Sequence, residues 1–240
     1  MSYTYVMSDI HGHYDEYREM LAKIDFKADD MLYILGDILD RGPHPIKIIL
    51  DLMERPNVVC IAGNHCVMAC DCFKFLLQEI SNDSINKIDD NTIEALLNWQ
   101  MNGSDSTIKE MHSLSKDKQK EIIDFIQEFE IYEEVFVENK EYLLVHAGLG
   151  NFSKDREIWD YDLSELVWTR PDYDQFYFDD KYVITGHTPT LYIESKDNLH
   201  PGFIFKANNH IAIDCGCGIP GGRLACLRLE DMQEFYVENH

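Results

Sequence analysis

Five short loops of the 240-residue sequence carry side chains that bind metals or transfer protons. Each loop follows a run of apolar or β-branched residues that predicts a β-strand. Ligands of open α/β sheets bind beyond the carboxyl ends of the strands, so we predict that the loops converge on one site. The loops are Asp9-Ile10-His11, Gly36-Asp37 with Asp40-Arg41-Gly42, Gly63-Asn64-His65, His146-Ala147-Gly148 and Gly186-His187-Thr188.

The side chains of these loops are carboxylates, an amide and imidazoles, a mixture that suits manganese, iron or zinc better than calcium. They are too many for a single ion. Two metals about 3.5–4 Å apart, bridged by one carboxylate, would use the whole set and would support in-line displacement at phosphorus. We predict that Asp37 is the bridge, and we expect two divalent ions, manganese first, with iron and zinc as alternatives.

The elements that position these loops alternate between strands and helices. Strands are predicted at residues 3–8, 31–35 and 58–62, and amphipathic helices follow the first two, the second starting near Pro45. This alternation indicates βαβ units. Residues 67–131 read as helices only, which predicts an inserted helical cap within a single domain over residues 1–240. Strands return at 135–137, 142–145, 182–185, 210–213 and 224–227, and the Gly-rich residues 215–222 are predicted to form a turn.

The motifs resemble, in order and spacing, those of the phosphoprotein-phosphatase branch of the calcineurin-like metallophosphoesterases, in particular its bacterial serine/threonine protein phosphatases. The resemblance implies an α/β fold, a β-sandwich flanked by helices with an inserted cap. It covers residues 3–188, and residues 213–229 resemble the closing strands of bacterial members. The segment from Trp99 to Ser104, followed by Thr107-Ile108, resembles a cap motif of that branch.

The resemblance also implies roles for individual residues. One metal would be held by Asp9, His11 and Asp37, and the other by Asp37, Asn64, His146 and His187; water between them would attack phosphorus. His65 would protonate the leaving oxygen, Asp40 would orient His65, and Arg41, Asn64 and Arg170 would bind the phosphate. Cys66 stands where the family usually has an acidic residue. If charge in the site lowers the pKa of the Cys66 thiol, its oxidation should inhibit the protein.

The resemblance favours a phosphomonoesterase whose substrate is phosphoserine or phosphothreonine in proteins. A symmetrical bis(5'-nucleosyl)-tetraphosphatase is the alternative, because bacterial enzymes of that kind share the metal motifs. Asp40 argues for the phosphatase, since the dinucleotide branch commonly lacks that aspartate. A non-catalytic phosphate-binding scaffold is the alternative from another class of protein.

Composition limits the possible partners. The net charge of −23, from 44 acidic and 21 basic residues, opposes binding to nucleic-acid backbones and anionic membranes. A hydrophobic fraction of 45% excludes a mainly disordered chain. The sequence shows neither a signal peptide nor a long apolar segment, so we expect a cytoplasmic protein whose seven cysteines are reduced.

Overall fold

The computed structural model describes residues 2–76 and 89–240, apart from the side chain of Lys74. Its first sheet has the strand order β10-β9-β1-β2-β3. β1, β2 and β3 run parallel, whereas β9 is antiparallel to both of its neighbours. These strands span Thr4–Met7 (β1), Met31–Leu35 (β2), Val58–Ile61 (β3), Arg223–Arg228 (β9) and Gln233–Glu238 (β10).

The second sheet has the strand order β4-β5-β6-β8-β7. Its three central strands, β5, β6 and β8, are parallel, and the edge strands β4 and β7 are antiparallel to them. The strands span Tyr132–Val137 (β4), Lys140–Val145 (β5), Lys181–Thr185 (β6), Phe205–Ala207 (β7) and His210–Ala212 (β8).

The two sheets pack against each other through a buried apolar layer. Leu35 and Ile61 of the first sheet share a core cluster with Leu144, Ile184 and Ile211 of the second. Branched and aliphatic side chains that alternate inward along each strand fill this layer. The predicted β-sandwich is therefore confirmed.

Two helices cover the other face of the first sheet, α1 at Tyr14–Lys23 and α2 at Pro45–Met53. Tyr17 and Met20 of α1 and Ile49 of α2 are buried in one core cluster with residues of β1 and β2. Pro45 lies in the first turn of α2, where its missing N–H costs no hydrogen bond. The predicted βαβ units are present.

The region predicted to be an inserted cap consists of helices and their connecting turns as far as Gln127 where it is described, but Glu130, predicted to belong to it, forms an isolated parallel β-bridge with Ile61. The helices of this region are α3 at Asn64–Leu76, α4 at Asp90–Met101, α5 at Asp105–His112 and α6 at Lys116–Gln127. α3 begins at Asn64 itself, so the third site loop continues directly into this region. Residues 77–88 of the predicted cap lie outside the described residues, and its standing as a unit within one domain stays a prediction.

The sequence interpretation missed two strands. β7 and β10 were not predicted, and β4 begins at Tyr132 rather than at residue 135. The predicted Gly-rich turn does connect β8 to β9. A short helix, α7, spans Leu163–Val167 between β5 and β6. No helix within residues 2–76 and 89–240 has both the length and the apolar character to cross a membrane.

Candidate metal centre

The predicted ligands of the first sheet lie directly after its three parallel strands. Asp9 and His11 follow β1, Asp37 follows β2, and Asn64 follows β3 at the start of α3. All four side chains are buried. Asp9, His11 and Asp37 adopt left-handed backbone conformations, with φ between 45° and 50°, which turns the chain sharply at the end of each strand. The side chains therefore meet at one edge of the sheet.

Asp37 lies between two groups of imidazoles. Its Oδ2 is 3.7 Å from Nε2 of His11, and its Oδ1 is 3.5 Å from Nε2 of His146. His146 follows β5, so the second group comes from the second sheet. One carboxylate oxygen thus faces each group, as a bridging carboxylate requires.

Backbone carbonyl groups orient two of these imidazoles. Nδ1 of His11 lies 3.0 Å from the carbonyl oxygen of Leu39, and Nδ1 of His146 lies 2.6 Å from that of Leu35. A carbonyl can only accept, so Nδ1–H donates in both rings and Nε2 keeps its lone pair. This is the arrangement of histidines that ligate metals.

The remaining predicted ligands complete the second group. Oδ1 of Asn64 lies 3.0 Å from Nε2 of His146 and 3.0 Å from Nδ1 of His187. The backbone N–H of His187 donates to Oδ2 of Asp9 at 3.0 Å and connects the two groups. Oδ1 of Asp9 is 4.0 Å from Nε2 of His11. The structure thus brings all six predicted metal ligands together: Asp9, His11, Asp37, Asn64, His146 and His187.

The donor atoms form two compact sets that share Asp37. One contains His11 and His65, and the other contains His146 and His187. The first set differs from the predicted one, which had Asp9 in place of His65. Nδ1 of His65 lies 2.6 Å from Oδ2 of Asp40, and its Nε2 is 3.9 Å from Oδ2 of Asp37. Metal binding at these residues stays a prediction, which the donor chemistry fits.

The electrostatics of the site favour a bound cation. Burial and then the neighbouring carboxylates Asp214 and Asp37 raise the pKa of Asp9 well above its usual range. Burial opposes ionisation of Asp37 as well, but the imidazoles of His146, His65, His11 and His187 lower its pKa. Buried acidic groups that repel one another are stabilised by a divalent ion, which would be the largest charge in the site.

Asp214 is a site residue that the sequence interpretation missed. Burial raises its pKa to about 7, and the charge of Asp37 contributes in the same direction. Its Oδ1 accepts the backbone N–H of Gly216 at 2.9 Å. Asp214 follows β8 as Asp9 follows β1, so the rule that located the other loops would have located it. The glycine-rich residues after Asp214 were predicted to form a turn, and Asp214 was therefore not considered as a candidate ligand.

The predicted catalytic group is assembled beside Asp37. Nδ1 of His65 contacts Asp40, and Nη2 of Arg41 lies 3.0 Å from Nε2 of His65. A guanidinium can only donate, so Nε2 accepts and the ring proton is on Nδ1, donated to Asp40. Asp40 and His65 are fully buried, whereas Arg41 is exposed. The geometry matches the predicted roles of Asp40 and Arg41, which stay predictions.

Arg170 lies within electrostatic range of the second group. Burial lowers the pKa of His187 to about 4, with smaller contributions from His146 and from the charge of Arg170. Trp168, two residues earlier, contacts the His187 ring edge-to-face with centroids 6.1 Å apart. Arg170 is exposed. The exposed guanidinium is free to turn toward a phosphate bound at His187, and that role stays a prediction.

The hypothesis of a reactive thiol at Cys66 is wrong in its premise. Cys66 is 1% exposed, and burial followed by the charge of Asp37 raises the pKa of its thiol. A protonated, buried thiol is a poor nucleophile and a poor target for oxidants. None of the seven cysteines, which all lie among the described residues, forms a disulfide.

Gly63 shows how closely the loops approach. A Cβ atom at this position would lie 2.2 Å from Oδ1 of Asp37 and 3.0 Å from Cε1 of His146. No side chain fits there. The glycine before Asn64 is therefore required for the two groups of ligands to share Asp37.

The comparisons with known proteins agree with this geometry. Residues 3–198 match the calcineurin-like phosphoesterase family. The bis(5'-nucleosyl)-tetraphosphatase PrpE [asymmetrical] of Oceanobacillus iheyensis is 26% identical over 256 residues, which cover 95% of this chain and 89% of that protein. A symmetrical bis(5'-nucleosyl)-tetraphosphatase of Wigglesworthia glossinidia brevipalpis is 28% identical over 122 residues, covering 50% of this chain and 42% of that protein.

Solved structures share the fold. The crystal structure of a protein provisionally assigned as a diadenosine tetraphosphatase aligns with a TM-score of 0.64 and 16% identity, covering 100% of this chain and 94% of that one. A protein serine/threonine phosphatase from Saccharomyces cerevisiae aligns with a TM-score of 0.56 and 12% identity, covering 100% and 80%. At these identities the structures establish the fold alone.

The family match defines a hydrolase of phosphate esters, and the paired donor sets fit the divalent metals that such a hydrolase would use. The chain belongs to the calcineurin-like phosphoesterase family. The relatives that match nearly its whole length are named as dinucleoside tetraphosphatases. These names agree better with the alternative predicted from the sequence, a bis(5'-nucleosyl)-tetraphosphatase, than with the main prediction of a serine/threonine protein phosphatase.

Proposed function

We propose that the protein hydrolyses bis(5'-nucleosyl) tetraphosphates. The observation that carries this proposal is the match along 95% of the chain to a relative named as an asymmetrical bis(5'-nucleosyl)-tetraphosphatase. The partial match to a symmetrical enzyme, which covers only half of the chain, supports the same class of substrate less strongly. The reaction products show which phosphoanhydride bond of the tetraphosphate is cleaved.

One divalent ion would be bound by Asp9, His11 and Asp37, and a second by Asp37, Asn64, His146 and His187, which leaves His65 free of metal. Such ions lower the pKa of a water molecule and neutralise phosphoryl oxygens. Manganese is the metal we propose, because carboxylate, amide and imidazole ligands all suit it; iron and zinc accept the same set. Asp37 would contact both ions, and the carbonyl groups behind His11 and His146 would keep the rings in position.

Arg41 and His65 would act on the substrate in turn. Arg41 would leave Nε2 of His65 and direct its guanidinium to a phosphoryl oxygen, where its planar fork can donate two hydrogen bonds. Nε2, no longer occupied by Arg41, would take up a proton from solvent, and the resulting imidazolium would give that proton to the leaving oxygen when the P–O bond breaks. Asp40 would keep the ring in place through Nδ1. Asn64 and Arg170 would hold the phosphoryl group from the other side.

A cavity next to the site can take a non-phosphate part of the substrate. Its volume is about 180 Å³, and its lining includes Pro171, which follows Arg170, and Thr188, which follows His187. Tyr192, 62% exposed, provides an aromatic surface in the same lining. The volume is below the ~300–1,000 Å³ typical of pockets for whole drug-sized ligands, so one end of a dinucleotide is the better fit.

A serine/threonine protein phosphatase is the second candidate, and the Asp40–His65 contact favours it. The alkoxide that leaves from phosphoserine is a strong base and needs a proton in the transition state. The phosphate oxygen that leaves from a dinucleotide is already a stable anion. A well-held general acid is therefore more valuable for the phosphatase reaction.

The experiment that decides is parallel hydrolysis by metal-stripped protein resupplied with Mn²⁺. Diadenosine tetraphosphate is compared with phosphoserine, phosphothreonine and phosphotyrosine peptides. We expect preference for the dinucleotide, with AMP and ATP as products of asymmetric cleavage; two ADP would mean symmetric cleavage. Preference for the peptides would replace the proposal with the phosphatase. No turnover of any substrate, with two metals bound, would favour the non-catalytic phosphate-binding scaffold.

A further inference from the structure

The carboxylate of Asp40 receives hydrogen bonds from the helical region as well as from His65. Nε1 of Trp99, in α4, donates to Oδ2 of Asp40 at 2.8 Å, and Oγ1 of Thr107, in α5, donates to Oδ1 at 2.6 Å. Oδ2 also accepts Nδ1–H of His65. Both oxygens of Asp40 therefore accept a hydrogen bond from the helical region, and Oδ2 accepts a second one from His65.

The Thr107 hydroxyl holds the backbone of Asp40 as well. It accepts the Asp40 N–H at 3.0 Å while it donates to the side chain of the same residue. Trp99, Thr107 and Asp40 are all fully buried. Hydrogen bonds buried in the low-dielectric interior hold their partners more firmly than hydrogen bonds on the surface.

The neighbouring Arg41 is held by the same region. Its backbone N–H donates to the carbonyl oxygen of Gly103 at 2.8 Å. Gly103 has φ of 98°, and a Cβ atom there would lie 3.0 Å from Cγ of Arg41. Arg41 itself has φ of 66°. The link between α4 and α5 thus packs directly on the Asp40-Arg41 turn.

We infer that Trp99 and Thr107 are positioning residues for the proton transfer by His65, acting through Asp40. The inference rests on the proposed role of His65 as general acid, and it does not depend on which phosphate ester is the natural substrate. Neither side chain touches the reacting atoms. Loss of either donor would let the Asp40 carboxylate rotate, and the imidazole would then lose its fixed orientation.

The test compares esters that differ only in the leaving group. 4-Nitrophenolate leaves readily without a proton, whereas the phenolate of phenyl phosphate is more basic and depends more on the acid. We expect Thr107→Val to lower kcat for phenyl phosphate by about tenfold or more, which is part of the ~10²–10⁴-fold that a general acid supplies. The kcat for 4-nitrophenyl phosphate should change much less. Trp99→Phe should act in the same direction.

Two further variants serve as controls. Thr107→Ser keeps the hydroxyl and should restore the wild-type ratio of the two rates. Met101→Ala, on α4 with Met101 81% exposed, should leave both rates unchanged. An equal loss on both esters in Thr107→Val would mean a merely structural role and would overturn the inference.

A spectroscopic measurement tests the inference independently of turnover. In the wild type, the Nδ1 proton of His65, hydrogen-bonded to Asp40, should give a far-downfield ¹H NMR signal that is absent in His65→Asn. Thr107→Val should shift or broaden this signal, and an unchanged signal would contradict the inference. Failure of diadenosine tetraphosphate hydrolysis alone would refute the proposed substrate and leave this result intact.

Discussion

The Nε2 atom of His146 lies 3.5 Å from Oδ1 of Asp37, although the two residues belong to different sheets of the sandwich. The other oxygen of Asp37 faces His11 of its own sheet. One carboxylate thus joins donor groups that come from separate parts of the chain, and the candidate metal site is formed only where the two sheets meet.

Asp37→Asn should remove at least one of two bound metals. The amide keeps the shape of the side chain but loses the charge and one anionic oxygen, so it cannot bridge two cations. Metal content per chain, measured by mass spectrometry after exhaustive dialysis, checks this. Asp25→Asn is the matched control, because Asp25 has φ of 51° and its side chain is exposed. Two tightly bound metals in Asp37→Asn would contradict the bridging role.

His65→Asn should lower kcat by about 10²–10⁴-fold, the usual contribution of a positioned general acid, and should leave metal content unchanged. Steady-state kinetics on phenyl phosphate, whose basic leaving group needs a proton, and metal analysis of the same sample provide the two measurements. His240→Asn, at an exposed histidine far along the chain, is the control. Wild-type turnover in His65→Asn would remove this residue from the mechanism.

Arg170→Ala should raise KM for a phosphate ester by about 10–100-fold. A hydrogen bond to a charged group contributes roughly 1.5–3 kcal/mol, which corresponds to a change of that size. The control is Arg18→Ala, since Arg18 forms an exposed ion pair with Asp51 that contributes about 1 kcal/mol or less. Equal KM values for the two variants would show that Arg170 does not reach the phosphate.

Divalent metal should stabilise the fold, and Asp214 should account for part of the effect. Burial raises the pKa of Asp214 to about 7, above its usual value of 3.8, so the folded protein binds a proton more tightly than the unfolded chain. The contribution of Asp214 to the stability of the metal-free protein therefore falls as pH rises from about 4 to 7. Asp214→Asn should raise the melting temperature of the metal-free protein at pH 8 and reduce the further increase on adding Mn²⁺.

The size of the metal effect can be estimated from mass action. Saturation at 100 times Kd adds about 2.7 kcal/mol to the free energy of unfolding. Thermal melts with and without metal, at pH 5 and pH 8, provide the comparison. If the metal-free Asp214→Asn protein is no more stable than the wild type at pH 8, ionisation of Asp214 does not oppose folding.

Acid should destabilise the protein through His210. This residue is 1% exposed, and burial lowers the pKa of its imidazole to about 3. Its Nε2 lies 2.9 Å from Oγ1 of Thr185, and its Nδ1 has no hydrogen-bond partner among the described residues. The unfolded chain takes up the proton near pH 6.5, so the contribution of His210 to stability is complete above that pH and is lost as pH falls toward 3.

The His210 contribution is on the order of 4–5 kcal/mol at 1.36 kcal/mol per pH unit. Chemical denaturation between pH 8 and pH 4 measures the slope, and NMR titration of the imidazole gives the pKa directly. A His210→Gln variant should lose much of the slope. An imidazole that titrates near 6.5 in the folded protein would refute the prediction.

Sequence alone could predict the site because each ligand directly follows a strand whose apolar pattern is easily seen. Asp9 after β1 and Asp37 after β2 are the clearest cases. The strands that were missed lie at sheet edges. β7 has only three residues, and β10 carries the exposed residues Gln233 and Glu238 at its ends, so neither shows clear apolar alternation.

The contacts of Trp99 and Thr107 with Asp40 could not be predicted in the same way. They join residues 59 and 67 positions apart in the chain, and no local pattern encodes how α4 and α5 lie over the turn. The resemblance of the Trp99–Thr107 segment to a cap motif indicated a common feature without its physical cause. In this chain, Trp99 and Thr107 of that segment donate hydrogen bonds to Asp40.

The left-handed backbone at the site has a cost for the whole molecule. The predicted ligands Asp9, His11 and Asp37 have this conformation, and so do Asp40, Arg41 and His187, with φ of 60–70°. Such strain is on the order of 1–3 kcal/mol for each non-glycine residue, so the catalytic loops reduce stability and the sandwich core must offset them. Selection for thermal stability alone would thus favour glycine or asparagine at these positions, and the resulting protein would be more stable but inactive.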